Sequence, residues 1–304
     1  MQRRTFVKKA SIGAVLLGSG QFPAQALSAT NTVKLTILHT NDQHSRIEPF
    51  PMDGGRYQGK GGFARRATII EKIRQTEKNV LLFDAGDTFQ GTPYFNYFGG
   101  ELEYKLMSKL GYDAITIGNH DFDGGIDGLH KQLIHAKFPI LIANYDFSAT
   151  IMSGKTKPYT IFRKEGLKIG VFGIGIELDG LVAEKLYKKT SYLAPIEMAN
   201  KYATLLKKKE KCDYIICLSH LGYKYETDKI SDIILAQNTR HIDLIIGGHT
   251  HTFLDKPDAV KDLNGDEVLI NQVGWAGLML GRIDVFFEKT GRKKIRSTSG
   301  NQST

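Results

Sequence analysis

Residues Ile245-Ile246-Gly247-Gly248-His249-Thr250-His251 form an apolar run that breaks into two glycines and then two histidines one residue apart. The isoleucines suit a buried β-strand, and the glycines allow close backbone approach and unusual dihedrals. Imidazoles at the end of such a strand raise metal ligation, a common task of neutral histidine. One pair proves little, so the other strands must be read in the same way.

Four more strands end on ligand-type side chains. "VKLTILHTND" from Val33 runs into Asp42 and His44, and "KNVLLFDAGD" into Asp87. "DAITIGNHD" runs into Asn119 and His120, and "CDYIICLSHLG" into His220. Singly, each has an ordinary reading. Asp42 and Asn119 suit turns, Asp87 suits a helix N-cap, and His220 suits a satisfied surface histidine. Together they fit an open α/β sheet, where sites form outside the carboxyl ends of the strands. His130, His135 and His241 fall in helical or polar stretches and read as surface residues.

The rest of the chain supports an α/β fold, with strands and amphipathic stretches alternating. Helices are expected from about 100 to 110, 125 to 136 and 194 to 210, and another ending near 237. A short strand is expected at "FPILIAN", two more across Glu165-Gly166, a hairpin turn at "LNGD" (263–266), and two final strands in "VLINQVGWAGLMLGRIDVFFE". No repeat or linker divides 30–290, so one domain is expected there, followed by a polar tail over 291–304.

The 304 residues are 41% hydrophobic and 24% charged, enough for a large core. The first 29 stand apart. Arg3 and Arg4 precede Thr5-Phe6-Val7-Lys8, a short apolar run from Ala10 to Gly18, and small residues that would suit a signal peptidase. That run is too short to span a bilayer, so no stable membrane insertion is expected. The segment resembles a twin-arginine signal, which implies export of a folded protein to the periplasm or outside. It carries four of the basic residues behind the net charge of +9, leaving +5 without it. Nothing places the remaining cations on one stripe with aromatics between them, so no nucleic-acid polymer is expected as partner. "LKKKEK" reads as a solvated helix face. If Cys212 and Cys217 share a strand, their odd separation puts them on opposite faces roughly 16 Å apart, as buried thiols rather than a disulfide.

The donor set is carboxylate, amide oxygen and imidazole without thiolate. It suits two divalent ions among Zn, Mn and Fe rather than a cysteine-type structural zinc. Asp42 and His44 can reach one ion together, whereas Thr250 lets His249 and His251 serve different ions.

The blocks "NDQH", "GD", "GNHD", "SHLG" and "GGHTH" occur in the order of the calcineurin-like metallophosphoesterases. "LHTNDQHSRIEP", "GGFARRATII", "DAGDTFQGTPYF", "LGYDAITIGNHDFD" and "IDLIIGGHTHTFL" resemble the 5′-nucleotidase branch, over 33–290. The resemblance implies a four-layer α/β/β/α sandwich. It implies that Asp42, His44 and His251 hold a first metal, Asn119, His220 and His249 a second, and that Asp87 bridges them. Some branch members carry an amide where His251 stands. His120 matches a catalytic histidine that is not a ligand, Asp123 its partner, and Asn119 and His120 would also meet substrate. The chain has "GNHD" where many relatives have Glu at the fourth position; Asp121 lies outside the ligand set, so this departure is expected to have little consequence.

The implied activity is hydrolysis of nucleoside 5′-monophosphates and related phosphate esters by a metal-bound hydroxide. Within the same chemistry stand a 2′,3′-cyclic-nucleotide phosphodiesterase/3′-nucleotidase and a broad phosphomonoesterase. From other classes come a nuclease and a non-catalytic, metal-stabilised binding protein. Relatives carry a second, C-terminal domain that clamps the base. This chain ends soon after its last expected strand, so a separate substrate-binding-domain protein is an expected partner. Phe89, Tyr94 and Phe95 read as loop packing rather than a base pocket, so little discrimination among leaving groups is expected.

Overall fold

The computed structural model describes residues 32–288, 296–299 and 302–304. The expected leader over 1–29 lies outside the described residues, as does part of the expected tail. The strands are β1 (Thr32–Thr40), β2 (Val80–Asp84), β3 (Ala114–Ile115), β4 (Tyr145–Asp146), β5 (Tyr159–Lys164), β6 (Leu167–Ile174) and β7 (Ser191–Tyr192). They continue with β8 (Tyr214–Ser219), β9 (Leu244–Ile246), β10 (Asp258–Lys261), β11 (Glu267–Asn271), β12 (Met279–Glu288), β13 (Arg296–Ser299) and β14 (Gln302–Ser303). The helices are α1 (Phe63–Thr76), α2 (Pro93–Phe98), α3 (Glu101–Leu110), α4 (Gly125–Gln132), α5 (Glu184–Tyr187), α6 (Pro195–Thr204) and α7 (Asp232–Gln237).

Two sheets carry the domain. One runs β13-β12-β1-β2-β3 with β14 on β12, and the other runs β10-β11-β9-β8-β6-β5. β1, β2 and β3 are parallel, as are β6, β8, β9 and β11, so their carboxyl ends point the same way within each sheet. The strands' two-residue period sorts their side chains between three cores. Leu35, Ile37, Leu81 and Phe83 meet Ile169, Val171, Ile216, Leu244 and Ile246 between the sheets. Leu38 and Leu82 face outward to α1 and α3, and Phe172, Cys217 and Ile245 face outward to α6 and α7. Three cores between four layers make the α/β/β/α sandwich.

Local outcomes differ from the sequence reading where side-chain type hides the pattern. α1 lies outside the expected helices; it buries Phe63, Arg66, Ile70 and Ile73, so an arginine fills one place on its apolar face. The helix expected over 125–136 ends at Gln132 and finishes as a 3₁₀ turn, Leu133–His135. That expected over 194–210 loosens into a π turn, Leu205–Lys209. "FPILIAN" makes only single bridges, Ile115 with Ile140 and Leu141 with Lys157. Cys212 precedes β8 rather than lying on it, so it joins Cys217 in the same core, and both thiols are free. Glu165 and Gly166 both take positive φ, as the tight β5–β6 hairpin requires. Among the described residues no helix is long and apolar enough to cross a membrane.

Candidate metal centre

The loops leaving β1, β2, β3, β8 and β9 converge at one edge of the sandwich. The loops after β1 and β2 are laced together by their backbones. Asp42, His44 and Ser45 donate N–H to the carbonyls of Gly86, Asp87 and Thr88 at 2.9, 3.0 and 2.9 Å. The β9 loop joins them, because the His249 N–H donates to both Asp42 carboxylate oxygens at 3.0 Å.

This lacing brings ligand-type atoms from distant sequence into two groups. Asp42, His44 and His251 form one, and Asp87, His220 and His249 the other, each with its donor atoms within 4.8 Å of one another. In the first, His44 Nε2 lies 2.9 Å from His251 Nε2, and His251 Nε2 lies 3.3 Å from Asp42 Oδ1. In the second, His220 Nε2 lies 3.0 Å from Asp87 Oδ2, and Asn119 Oδ1 lies 2.9 Å from His249 Nδ1. Asp87 Oδ2 is also 4.0 Å from His44 Nε2, so this carboxylate stands between the groups.

The ring tautomers suit ligation. His220 Nδ1–H donates to the Ala85 carbonyl at 2.6 Å and His44 Nδ1–H to the Gln90 carbonyl at 3.2 Å. Each Nε2 is then directed into the site, where a cation would take the place of its proton, as outer hydrogen bonds do for metal-bound histidines. His220 Nε2 is fully buried and has no hydrogen-bond partner. A buried, orphaned imidazole nitrogen beside a carboxylate is what a cation would satisfy, and the hard-to-borderline donors fit Zn, Mn or Fe.

Charges shift accordingly. Burial lowers the tendency of His220 to protonate, but the Asp87 carboxylate overrides it and pushes the imidazole up to about 10. Burial likewise opposes ionisation of Asp87, yet His220 and His44 hold it well below the usual carboxylate range. His249 is pushed down to about 4 by burial and then by the charge on His220. His120 belongs to neither group; its Nδ1–H donates to Asp123 Oδ2 at 2.8 Å. That bond raises the His120 pKa against the effect of partial burial.

Backbone conformation at the site is unusual. Asp42, His44, Asp87, His249 and His251 all adopt positive φ, from 48° to 73°. Such residues are uncommon outside glycine and cluster at functional sites. Gly118 is required for space. A Cβ there would collide with Asp87 Oδ1 and sit 2.6 Å from His220 Nε2.

Sequence reasoning passed over the residues that brace this site. Asp121, outside the expected ligand set, is buried at its centre. Its Oδ1 accepts the N–H groups of Thr88 at 3.0 Å and Phe89 at 3.2 Å, and its Oδ2 those of Asp87 at 3.1 Å and Gly118 at 2.8 Å. Burial and the Asp87 charge push Asp121 up to about 7. Gln43, between two candidate ligands, donates to Asp84 at 2.8 Å and accepts from the buried Arg66 at 2.5 Å. Gln272 donates to the Gly248 carbonyl at 2.5 Å and accepts from the Thr250 hydroxyl and the Thr252 N–H, which fixes the β9 loop. The available signals were a carboxylate inside "GNHD" and polar residues in otherwise apolar runs.

The expected aromatic cluster divides. Phe89 and Phe95 stack at 5.7 Å and belong to the helix-side core, while Tyr94 stacks on Phe98 at 6.4 Å.

Comparisons with known proteins agree with the fold. Residues 35–253 match the calcineurin-like phosphoesterase family. The chain is 36% identical to a snake venom 5′-nucleotidase of Gloydius brevicauda, over 94% of this chain and 50% of that protein. It is 35% identical to a 5′-nucleotidase of Vibrio cholerae, over 92% of this chain and 54% of that protein. The 5′-nucleotidase precursor of Thermus thermophilus superposes with a TM-score of 0.80 at 31% identity, covering 90% of this chain and 55% of that one. The calcineurin-like phosphoesterase YfkN of Bacillus subtilis superposes at 0.72 with 28% identity, covering 90% and 91%. The chain spans about half the length of these curated relatives.

Proposed function

This chain belongs to the calcineurin-like phosphoesterase family, and we propose on that footing that it is a two-metal phosphoric ester hydrolase acting on nucleoside 5′-monophosphates and related nucleotides. The observation that carries the reading is the position of Asp87, with one carboxylate oxygen 3.0 Å from His220 and 4.0 Å from His44. Asp42, His44 and His251 would hold one ion, Asn119, His220 and His249 the other, and Asp87 both. Two divalent ions supply Lewis acidity toward phosphoryl oxygens and acidify a water molecule.

The chain's own residues do the remainder. His120 lies outside both ligand groups and keeps a half-exposed ring. Asp123 fixes its orientation and stabilises its protonated form. A protonated imidazole there offsets negative charge on the phosphoryl group or gives its proton to the leaving oxygen. The His120 N–H also donates to Asp87 Oδ1 at 2.8 Å, tying the acid's backbone to the shared carboxylate.

The test is phosphate release from AMP by the purified chain, stripped of metal and reloaded with Mn, Zn or Fe. Turnover that a chelator abolishes is expected. No release from AMP or from an activated aryl phosphate with any of these metals would leave the metal-stabilised binding protein as the better reading. Faster cleavage of a 2′,3′-cyclic nucleotide or of 3′-AMP in the same panel would move the substrate to that branch.

Export belongs to the same proposal. Arg3 and Arg4 head a segment that resembles a twin-arginine signal. Replacing both with lysine keeps the charge, so precursor accumulating inside the cell would support that route and unchanged export would refute it.

A further inference from the structure

A rim of rings borders the His251 side of the metal centre, and no ligand role accounts for it. The Trp275 indole lies parallel to the His251 imidazole, with centroids 5.6 Å apart and planes 7° apart. Phe50 and Tyr57 meet Trp275 edge-on at 5.7 and 6.5 Å and each other at 5.6 Å. The guanidinium of Arg46 covers the Phe50 ring at 4.3 Å, and that of Arg56 covers Tyr57 at 5.3 Å.

The fold holds this rim against the site. Ala276 N–H donates to the Asp42 carbonyl at 2.7 Å, and Asn41 Nδ2 donates to the Gly274 carbonyl at 2.6 Å. Trp275 is therefore fixed between two contacts to the loop that carries a candidate ligand. The loop holding Phe50 and Tyr57 closes on itself through Phe50 N–H to Lys60 at 2.8 Å and Gly59 N–H to Phe50 at 2.9 Å.

The plain alternative is that these rings merely pack their loops. Against it, Phe50, Tyr57 and Trp275 belong to none of the three hydrophobic cores, unlike Phe89 and Phe95. All three stay half-buried. Neither Arg46 nor Arg56 has an ion pair among the described residues, and Arg46 Nε is buried without a hydrogen-bond partner. Unpaired guanidinium groups and incompletely covered rings are the components that bind planar heterocycles, because every base has a π face.

We propose that Phe50, Tyr57 and Trp275, with Arg46, form a subsite for the nucleobase of the substrate beside the metal centre. The assignment rests on the phosphoesterase reading for its substrate class. It revises the expectation that this chain is indifferent to the leaving group. Stacking favours any nucleotide over a base-free sugar phosphate, while choosing weakly between purine and pyrimidine.

Trp275 is the single tryptophan of the chain, so its fluorescence reports the subsite without any turnover. Adenosine should quench it saturably in the full chain, ribose should not, and Tyr57→Ala should weaken the quenching by about tenfold in affinity. Tyr57 makes no ring contact with His251, so this variant leaves that candidate ligand's neighbour in place. In the metal-loaded enzyme the ratio of kcat/KM for AMP over ribose 5-phosphate should fall by a similar factor in Tyr57→Ala and Phe50→Ala. Absence of quenching, or a ratio unmoved by either variant, would overturn the subsite. Equal losses on both substrates would overturn it too, since they would show that the rings only brace the site. Quenching by adenosine without turnover of any ester would instead sink the hydrolase reading while keeping the subsite.

Discussion

Asp121 accepts the backbone N–H of Asp87 at 3.1 Å, so one carboxylate fixes the backbone of another. Through the same two oxygens it also holds Thr88, Phe89 and Gly118. Removing it leaves four buried donors without their acceptor, at roughly 1–3 kcal/mol for each that stays unpaired. Asp121→Ala is expected to lose metal from both groups and to melt at lower temperature. Asp121→Asn keeps one acceptor oxygen and should fall between. Elemental analysis and a melting curve check this, and two retained ions in the alanine variant would refute it.

Asp87→Asn tests the shared ligand. An amide offers one good ligand oxygen where the carboxylate offers two, so both ions should weaken together. Two retained metals with normal turnover would remove the bridging role. Loss of one metal alone would assign Asp87 to a single site.

His120→Ala should lower kcat by about 10²–10⁴-fold with metal content nearly unchanged, the usual size of a lost general acid. The pH profile adds a sign. Asp123 raises the pKa of His120, so the protonated ring persists to higher pH than a free histidine. In Asp123→Asn that support is lost, and the alkaline limb of kcat should move to lower pH. A limb that stays in place would detach His120 from the proton transfer.

His39 gives an acid-stability test away from the metal groups. It is fully buried, accepts from Asn271 Nδ2 at 2.9 Å, and is pushed down to about 3 by burial. An unfolded histidine protonates near 6.5, so the unfolded chain binds the extra proton first. Stability therefore falls as pH drops from about 6.5 toward 3, by up to about 1.4 kcal/mol per unit from this residue. Urea unfolding at pH 7 and pH 5 should show a smaller acid loss in His39→Gln than in the parent. Equal losses would show that His39 does not set this dependence.

The candidate ligands were legible because each stands at the end of an apolar run, where a sheet delivers its side chains. Asp121 was not, because its partners are backbone N–H groups, which carry no residue signature. α1 stayed hidden because Arg66 occupies a place on its buried face, and polarity is all that periodicity can read there. The Phe50, Tyr57 and Trp275 rim joins loops more than 200 residues apart, so no local pattern announces it. Phe89, by contrast, sits beside Asp87 in sequence yet turns into the core.

The left-handed backbone at Asp42, His44, Asp87, His249 and His251 has a consequence for how this protein would change under selection. Each such residue withholds about 1 kcal/mol or more from the folded state, which the surrounding sheets supply. The domain is therefore less heat-resistant than its own scaffold permits. Passaged for endurance alone, with no demand on turnover, it should trade His44, His249 and His251, whose rings hold up no backbone N–H, for glycine or asparagine before it altered its cores. Hardiness and activity would part company at the strand ends.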